Sequence, residues 1–300
     1  MLHFKELTIA DKAVIQQYTL LSNRRNCDLS FANLCSWRFL YHTEFTVMDG
    51  YLIVRFIFKE KLSYMMPVGE GDLKPVLKAM MADADAMGQP FFMQGVSVRM
   101  RADLELVFPD IFLCESSRDY ADYLYFREDL ALLRGKKFQA KRNHVNKFLR
   151  TYPDFQYYPI TPELIPECLA LEAQWANADH QITTTALEAE RRSMSYAFAH
   201  FNELDLVGGV LCVGGKMAAF TYGTPINAFT FDVCVEKADT SLEGVYAMMN
   251  YEFARRIPEQ YRFVNREEDL GIDGLRKSKL SYQPHEILQK YGVSLKIINN

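Results

Sequence analysis

Strand and helix signals in this chain run through one order and then repeat it. Residues 3–8 read as a short strand and 11–21 as a helix. Asp28 to Phe31 opens a second helix rich in aromatics (Phe31, Trp37, Phe39, Tyr41). Strands follow at 44–47, 51–58 and 62–67, with Met48-Asp49-Gly50 as the first hairpin turn. Asp72 caps a helix that Gly88 ends. A strand at 91–93, a helix at 98–106 and strand material at 113 and 121–126 complete the set. From Phe155 the order returns: strand 155–160, helices 162–175 and 185–201, and strand 205–213. The turn Gly214-Gly215 leads to strands 216–222 and 228–235. A helix from Ser241 to Arg256, strand 261–265, helix 272–281 and strand material at 285–295 close the chain. Three hundred residues leave room for two cores. The repetition predicts an α/β chain of two domains, 1–135 and 136–300, each a mixed sheet flanked by helices.

The net charge is −4, but it is unevenly spread. Residues 136–150 carry six basic side chains and no acidic one, whereas the segments on either side are net acidic. Positive charge this local points to a site and excludes general coating of nucleic acid. The stretch lacks proline until Tyr152-Pro153 and reads as a helix, with Phe138, Val145 and Leu149 on one face. Arg142 falls on or beside that face. A guanidinium keeps its proton, so at a half-buried position it needs a carboxylate or an anionic ligand. Gly135, Lys136 and Lys137 at the helix start also favour an anion.

Familiar motifs are absent. Gly95-Val96-Ser97-Val98-Arg99 lacks the last glycine of a nucleophile elbow. Gly214-Gly215-Lys216-Met217 is no phosphate loop. The six cysteines show no CxxC pair and no histidine at metal spacing, so no metal is expected. No apolar run is long enough for a membrane span, and a cytoplasmic protein with reduced thiols is expected.

Two further constellations carry chemistry. Asp232 interrupts the apolar strand Phe231–Val233, as either a structural acceptor or a site carboxylate. Asn265-Arg266-Glu267-Glu268-Asp269-Leu270-Gly271 follows a strand and precedes a helix bearing Arg276 and Lys279. Strand ends of this kind are where α/β proteins place their sites.

With the basic helix, these residues resemble the family named for the C-terminal domain of phosphatidylglycerol lysyltransferase. The likeness lies in Tyr125–Leu130 running into Gly135-Lys136-Lys137 and Lys141-Arg142-Asn143, and in 265–271 with Gly274-Leu275-Arg276, Lys279–Tyr282 and Pro284. It covers essentially the whole chain. The resemblance implies two tandem GNAT-like acyltransferase folds, similar also to the peptidoglycan Fem transferases. It implies transfer of an aminoacyl group from tRNA, here without the membrane half that a lipid acceptor would need. The loop before Ser241 lacks the glycine-rich pyrophosphate pattern of acyl-CoA enzymes, which argues against acyl-CoA.

The expectation is a soluble acyl- or aminoacyltransferase needing no cofactor, with aminoacyl-tRNA as a possible donor. Lys137, Lys141, Arg142 and Asn143, with Asn265, Arg276 and Lys279, are the candidate anion-binding residues. Glu267, Glu268 or Asp232 is the candidate base, and Tyr282 the candidate acid by analogy with GNAT enzymes. The alternative is a non-catalytic module holding an anionic ligand in an interdomain cleft.

Overall fold

The computed structural model describes residues 2–176 and 184–296. The first half contains β1 (Lys5–Glu6), α1 (Lys12–Thr19), α2 (Phe31–Ser36), α3 (Arg38–Tyr41), β2 (Glu44–Met48), β3 (Tyr51–Phe58), β4 (Lys61–Tyr64) and β5 (Val68–Gly69). It continues with α4 (Leu73–Ala86), β6 (Phe92–Ser97), α5 (Val98–Val107), β7 (Phe112–Ser116), β8 (Asp122–Phe126) and α6 (Arg127–Leu132). The second half contains α7 (Gln139–Thr151), β9 (Gln156–Pro159), α8 (Ile165–Ala176), α9 (Thr184–Ala199), β10 (Val207–Val213), β11 (Lys216–Pro225) and β12 (Thr230–Ala238). It ends with α10 (Val245–Ala254), β13 (Phe263–Asn265), α11 (Asp273–Leu280), β14 (Glu286–Leu288) and β15 (Lys290–Leu295).

Two sheets follow one plan. The first runs β1-β2-β3-β4-β6-β15-β7, with short β5 beside β3, and the second runs β9-β10-β11-β12-β13-β8-β14. In both, the fourth and fifth strands are parallel and every other neighbouring pair along the row is antiparallel. A helix, α4 or α10, crosses between those parallel strands, as parallel pairing requires. The sixth position is exchanged. β15, from the second half, fills it in the first sheet, and β8, from the first half, fills it in the second. The sheets therefore do not divide at residue 135. Strand order is read along the chain, and nothing along the chain says that each half lends a strand to the other.

Sequence signals set most elements. Asp72 caps α4 by accepting from Lys74 N, and Asp49 and Gly50 turn the β2–β3 hairpin with positive φ of 49° and 80°. The expected second helix splits at Trp37 into α2 and α3. α10 begins at Val245, four residues later than expected, because Gly244 is its left-handed N-cap (φ 83°). A Cβ there would stand 3.0 Å from His144 O, so the helix start packs directly on α7. The basic helix buries Phe138, Val145 and Phe148 under the second sheet, each aromatic ring contributing roughly 1.5–3 kcal/mol. Leu149, placed on that face by its spacing, is exposed.

Candidate functional site

The site begins where β12 and β13 part. They pair only from Thr230–Phe263 to Asp232–Asn265, while β12 runs on to Ala238. On its other edge β13 stays tied to β8: Arg266 N donates to Tyr123 O, and Tyr123 N donates to Glu267 O. A slot therefore opens beyond Asp232 and Asn265. On its own far side β12 holds β11 with one extra residue, Cys234, opposite the Tyr222–Gly223 step. This bulge needs Gly223, because a Cβ there would lie 1.9 Å from Asp232 O. It also resets the alternation of β12. Asp232 faces α2, whereas Glu236 points to the opposite face with Arg266.

On the α2 face sits a buried set of carboxylates. Asn33 Nδ2 donates to Asp232 Oδ2 (3.1 Å) and to Glu267 Oε1 (2.9 Å), so one amide bridges two acids. Asp232 is fully buried, and its Oδ1 has no hydrogen-bond partner. Burial, then the neighbouring carboxylates, hold Asp232 well above the usual carboxylate range. Burial and Glu268 push Glu267 to about 8. Glu267 also has a left-handed backbone (φ 54°), with Asn265 Oδ1 accepting from its N–H at 2.7 Å. Beside it Lys290 Nζ pairs with Asp122 (2.7 Å), Asp28 (3.0 Å) and Glu268. Asn265 Nδ2 donates to Asp122 Oδ2 and Arg25 O. Lys279 lies beneath, donating to Arg266 O and Glu268 O, which fixes the loop carrying Glu267.

The donor atoms of Asp232, Cys234 and Glu267 lie within 4.8 Å of one another, as do those of Cys27, Asp122 and Glu268. Sequence spacing did not foresee either group, because each joins residues from distant elements. Lys290 already sits in the second group, and the Asn33 amide bridges two members of the first.

The other face is cationic. Lys141 Nζ sits 4.0 Å from the centre of the Tyr282 ring, and the Arg266 guanidinium 5.0 Å from it. Tyr282 is buried, which pushes its hydroxyl above the usual phenol range.

The structure thus brings Asp232, Glu267, Glu268, Asn265 and Lys279 together, and places Lys141 and Tyr282 across the sheet. The remaining expected residues serve elsewhere. Arg142 donates to Leu133 O, Gly135 O and Gln139 Oε1, bracing the link into α7. Asn143 is exposed and bonds Gln139, and Lys137 pairs with Asp129. Arg276 grips buried Asp269 through Nε and Nη2 at 2.8 Å and also Asp119, so its Nε and Nη2 serve this loop. Asn33, Cys234, Glu236, Arg266 and Lys290 were not singled out by their local patterns. Arg266 stood within the marked 265–271 stretch, and Glu236 within the stretch that Asp232 leads into.

The parallel pair joined by a crossing helix at the same place in both sheets, with the splay and bulge beside it in the second, defines a tandem GNAT-like fold. Residues 19–294 match the family described as phosphatidylglycerol lysyltransferase, C-terminal, and the chain belongs to that family. A crystal structure of a conserved protein of unknown function from Bacteroides thetaiotaomicron is 58% identical, covers 99% of this chain and 100% of its own, and has a TM-score of 0.95. The L-PGS of Bacillus licheniformis is 15% identical over 96% of this chain and 93% of its own, with a TM-score of 0.66. A tandem GNAT protein from the clavulanic acid biosynthesis pathway is 11% identical over the whole of both chains, with a TM-score of 0.51. An uncharacterized protein of Mycoplasmoides gallisepticum is 25% identical over 211 residues, and the match spans 66% of this chain but 61% of that relative. Among the described residues no helix is long and apolar enough to cross a membrane.

Proposed function

We propose that this chain is an acyl- or aminoacyltransferase whose acceptor amine or hydroxyl is deprotonated by the Asp232–Glu267 pair. One observation carries the reading: buried Asp232 and half-buried Glu267 share the Asn33 amide at the mouth of the slot, and Glu267 is raised to about 8. Acids this close cannot both ionise readily, so one releases its proton near neutral pH and is poised as a base. The acceptor heteroatom bonds to the acyl carbon, and its proton passes to Glu267. The bond from the acyl carbon to the donor's leaving group breaks. Tyr282, across the slot, supplies the proton that the leaving group takes. The family's name points to a lysyl group as the group transferred, and aminoacyl-tRNA suits this scheme as its donor because the leaving group is a hydroxyl.

The test incubates purified protein with charged tRNA pools or acyl-CoA and a panel of amines, and follows transfer by mass. Glu267→Gln should slow transfer by about 10²–10⁴-fold. Transfer at the wild-type rate in both Glu267→Gln and Asp232→Asn would sink the scheme.

A second reading, a binding module without chemistry, is favoured by one cleft. It measures 1420 Å³, lies between the two halves, and is lined by Arg24, Arg25, Arg99 and Arg262 beside Phe229 and Phe263. Saturable anion binding without transfer from any donor would support it.

A further inference from the structure

Arg266 is buried, with a side chain 9% exposed. Its Nη2 reaches Glu236 Oε1 at 3.2 Å, but its Nη1 has no hydrogen-bond partner. Since a guanidinium keeps its proton, an unpaired buried N–H costs about 1–3 kcal/mol unless something fills the place. Lys141 also stands over the Tyr282 ring, at 4.0 Å from its centre, and no carboxylate pairs with it among the described residues. Burial, then Arg266, lowers Lys141 to about 8. The groups facing it are Arg266 from the end of β13, Glu236 from β12 and Tyr282 after α11, while Tyr125 from β8 borders Arg266 and Tyr246 from α10 lies near Glu236. Two cations meet one carboxylate here, so one positive charge is left uncompensated in a desolvated place.

We propose that Arg266 and Lys141 bind one singly charged oxyanion of the donor, a phosphodiester or a carboxylate, against the Tyr282 ring. The charge matches, because one such anion neutralises the surplus. The geometry matches too. The free Nη1 and the ammonium both border that ring, on the face of the slot away from Glu267. Glu236 holds the guanidinium and, by its own charge, excludes a dianion from the same space. The assignment to the donor rests on the transferase reading, but anion binding does not.

Melting temperature is measured against diethyl phosphate and acetate at fixed ionic strength, pH 7, because a ligand of the native state raises it. Wild type should respond to at least one of them. A stronger response to diethyl phosphate assigns a phosphodiester, and a stronger response to acetate assigns a carboxylate. Lys141→Met and Arg266→Gln should each weaken the response about tenfold, equivalent to about 1.4 kcal/mol. Lys147→Ala should not. At pH 9.5 the wild type should fall to the level of Lys141→Met, since Lys141 is then neutral. Should Arg266→Gln fail to fold, Lys141→Met and the pH comparison still decide. An unchanged response in Lys141→Met, or none in wild type with either anion, overturns the proposal. Glu267→Gln should bind anion as wild type does. If it binds anion and also transfers at the full rate, the base assignment alone falls.

Discussion

Asp122 and Lys290 form an ion pair at 2.7 Å, and each stands on the strand that its half of the chain lends to the other sheet. Both side chains are almost wholly buried, at 0% and 3% exposure. Asp122 further accepts from Cys27 N (2.9 Å) and Asn265 Nδ2 (2.8 Å), one from each half. The exchange of strands and the carboxylate site therefore share one hub. A buried pair of this kind adds little net stability over apolar packing, but removing one partner strands the other.

Lys290→Met should therefore cost about 3–5 kcal/mol, because Asp122 and Glu268 are left without their cation. Urea denaturation at pH 7 measures it, with exposed Lys296→Ala as a control expected within about 0.5 kcal/mol of wild type. The deficit should shrink as the pH falls and the stranded carboxylates take up protons. A deficit independent of pH would mean that lost packing, not charge, is the cause.

Glu267 gives stability a second dependence on pH. Its folded value of about 8 lies above the ordinary 4.5, so the folded state holds the proton more tightly than the unfolded one. The resulting stabilisation is complete below the unfolded value and is lost as the pH rises from about 4.5 through about 8. Wild type should lose a few kcal/mol across that window, on the order of 1.4 per pH unit. Glu267→Gln should flatten the slope, leaving what Asp232 contributes. At saturating donor, where the titration of Lys141 does not limit binding, transfer should run the other way, rising with pH to a plateau above about 8 as the base ionises. A variant whose stability slope equals that of wild type would place the titration elsewhere.

Arg142 should prove structural. Its donors hold the carbonyls of Leu133 and Gly135, both at left-handed positions (φ 48° and 84°) in the link between α6 and α7. Arg142→Ala should cost about 1–3 kcal/mol through orphaned acceptors and leave anion affinity unchanged. Lys147 pairs with Glu243 in solvent, so Lys147→Ala should be within about 0.5 kcal/mol of wild type. Equal losses of anion affinity on replacing Lys141, Arg142 and Lys147 would mean that the helix acts only as diffuse charge.

The repeated element order was legible because strand and helix periodicities and their turns are local. The sheet exchange was not, because a strand's partner depends on a register that no local pattern records. Asp232 and Glu267 stood out because a carboxylate in an apolar strand and an acid run after a strand are each conspicuous. Asn33, which bridges them, lies 199 and 234 positions away. Lys290 looks like any strand lysine until Asp122 is placed beside it. Arg142 and Lys141 are neighbours on one helix, and the sequence favoured Arg142 by its place near the apolar face. The wheel does not show that carbonyls of the preceding turn reach Arg142 while Lys141 swings over Tyr282.

Coenzyme A should bind weakly or not at all at the second slot. A GNAT fold grips the pyrophosphate with backbone N–H groups where a loop enters the crossing helix, and this needs open space and little negative charge. Here the loop into α10 offers neither. Asp239 Oδ1 already accepts from Ser241 N at 2.9 Å. Glu243 projects from the same turn and is countered by exposed Lys147. Gly244 abuts α7, with His144 O and the Phe148 side chain within 3.0–3.3 Å of where a Cβ would lie, so the helix start is covered. Two phosphates would meet two carboxylates at a few ångströms, and like charges that close oppose binding. Calorimetric titration with CoA and acetyl-CoA should give a Kd no tighter than about 1 mM, a binding free energy of about −4 kcal/mol. Asp239→Asn with Glu243→Gln should tighten it if charge is the main obstacle, and leave it unchanged if α7 is. A low-micromolar Kd in wild type, weakened by Ser241→Glu, would place the pyrophosphate on this loop and favour an acyl-CoA donor.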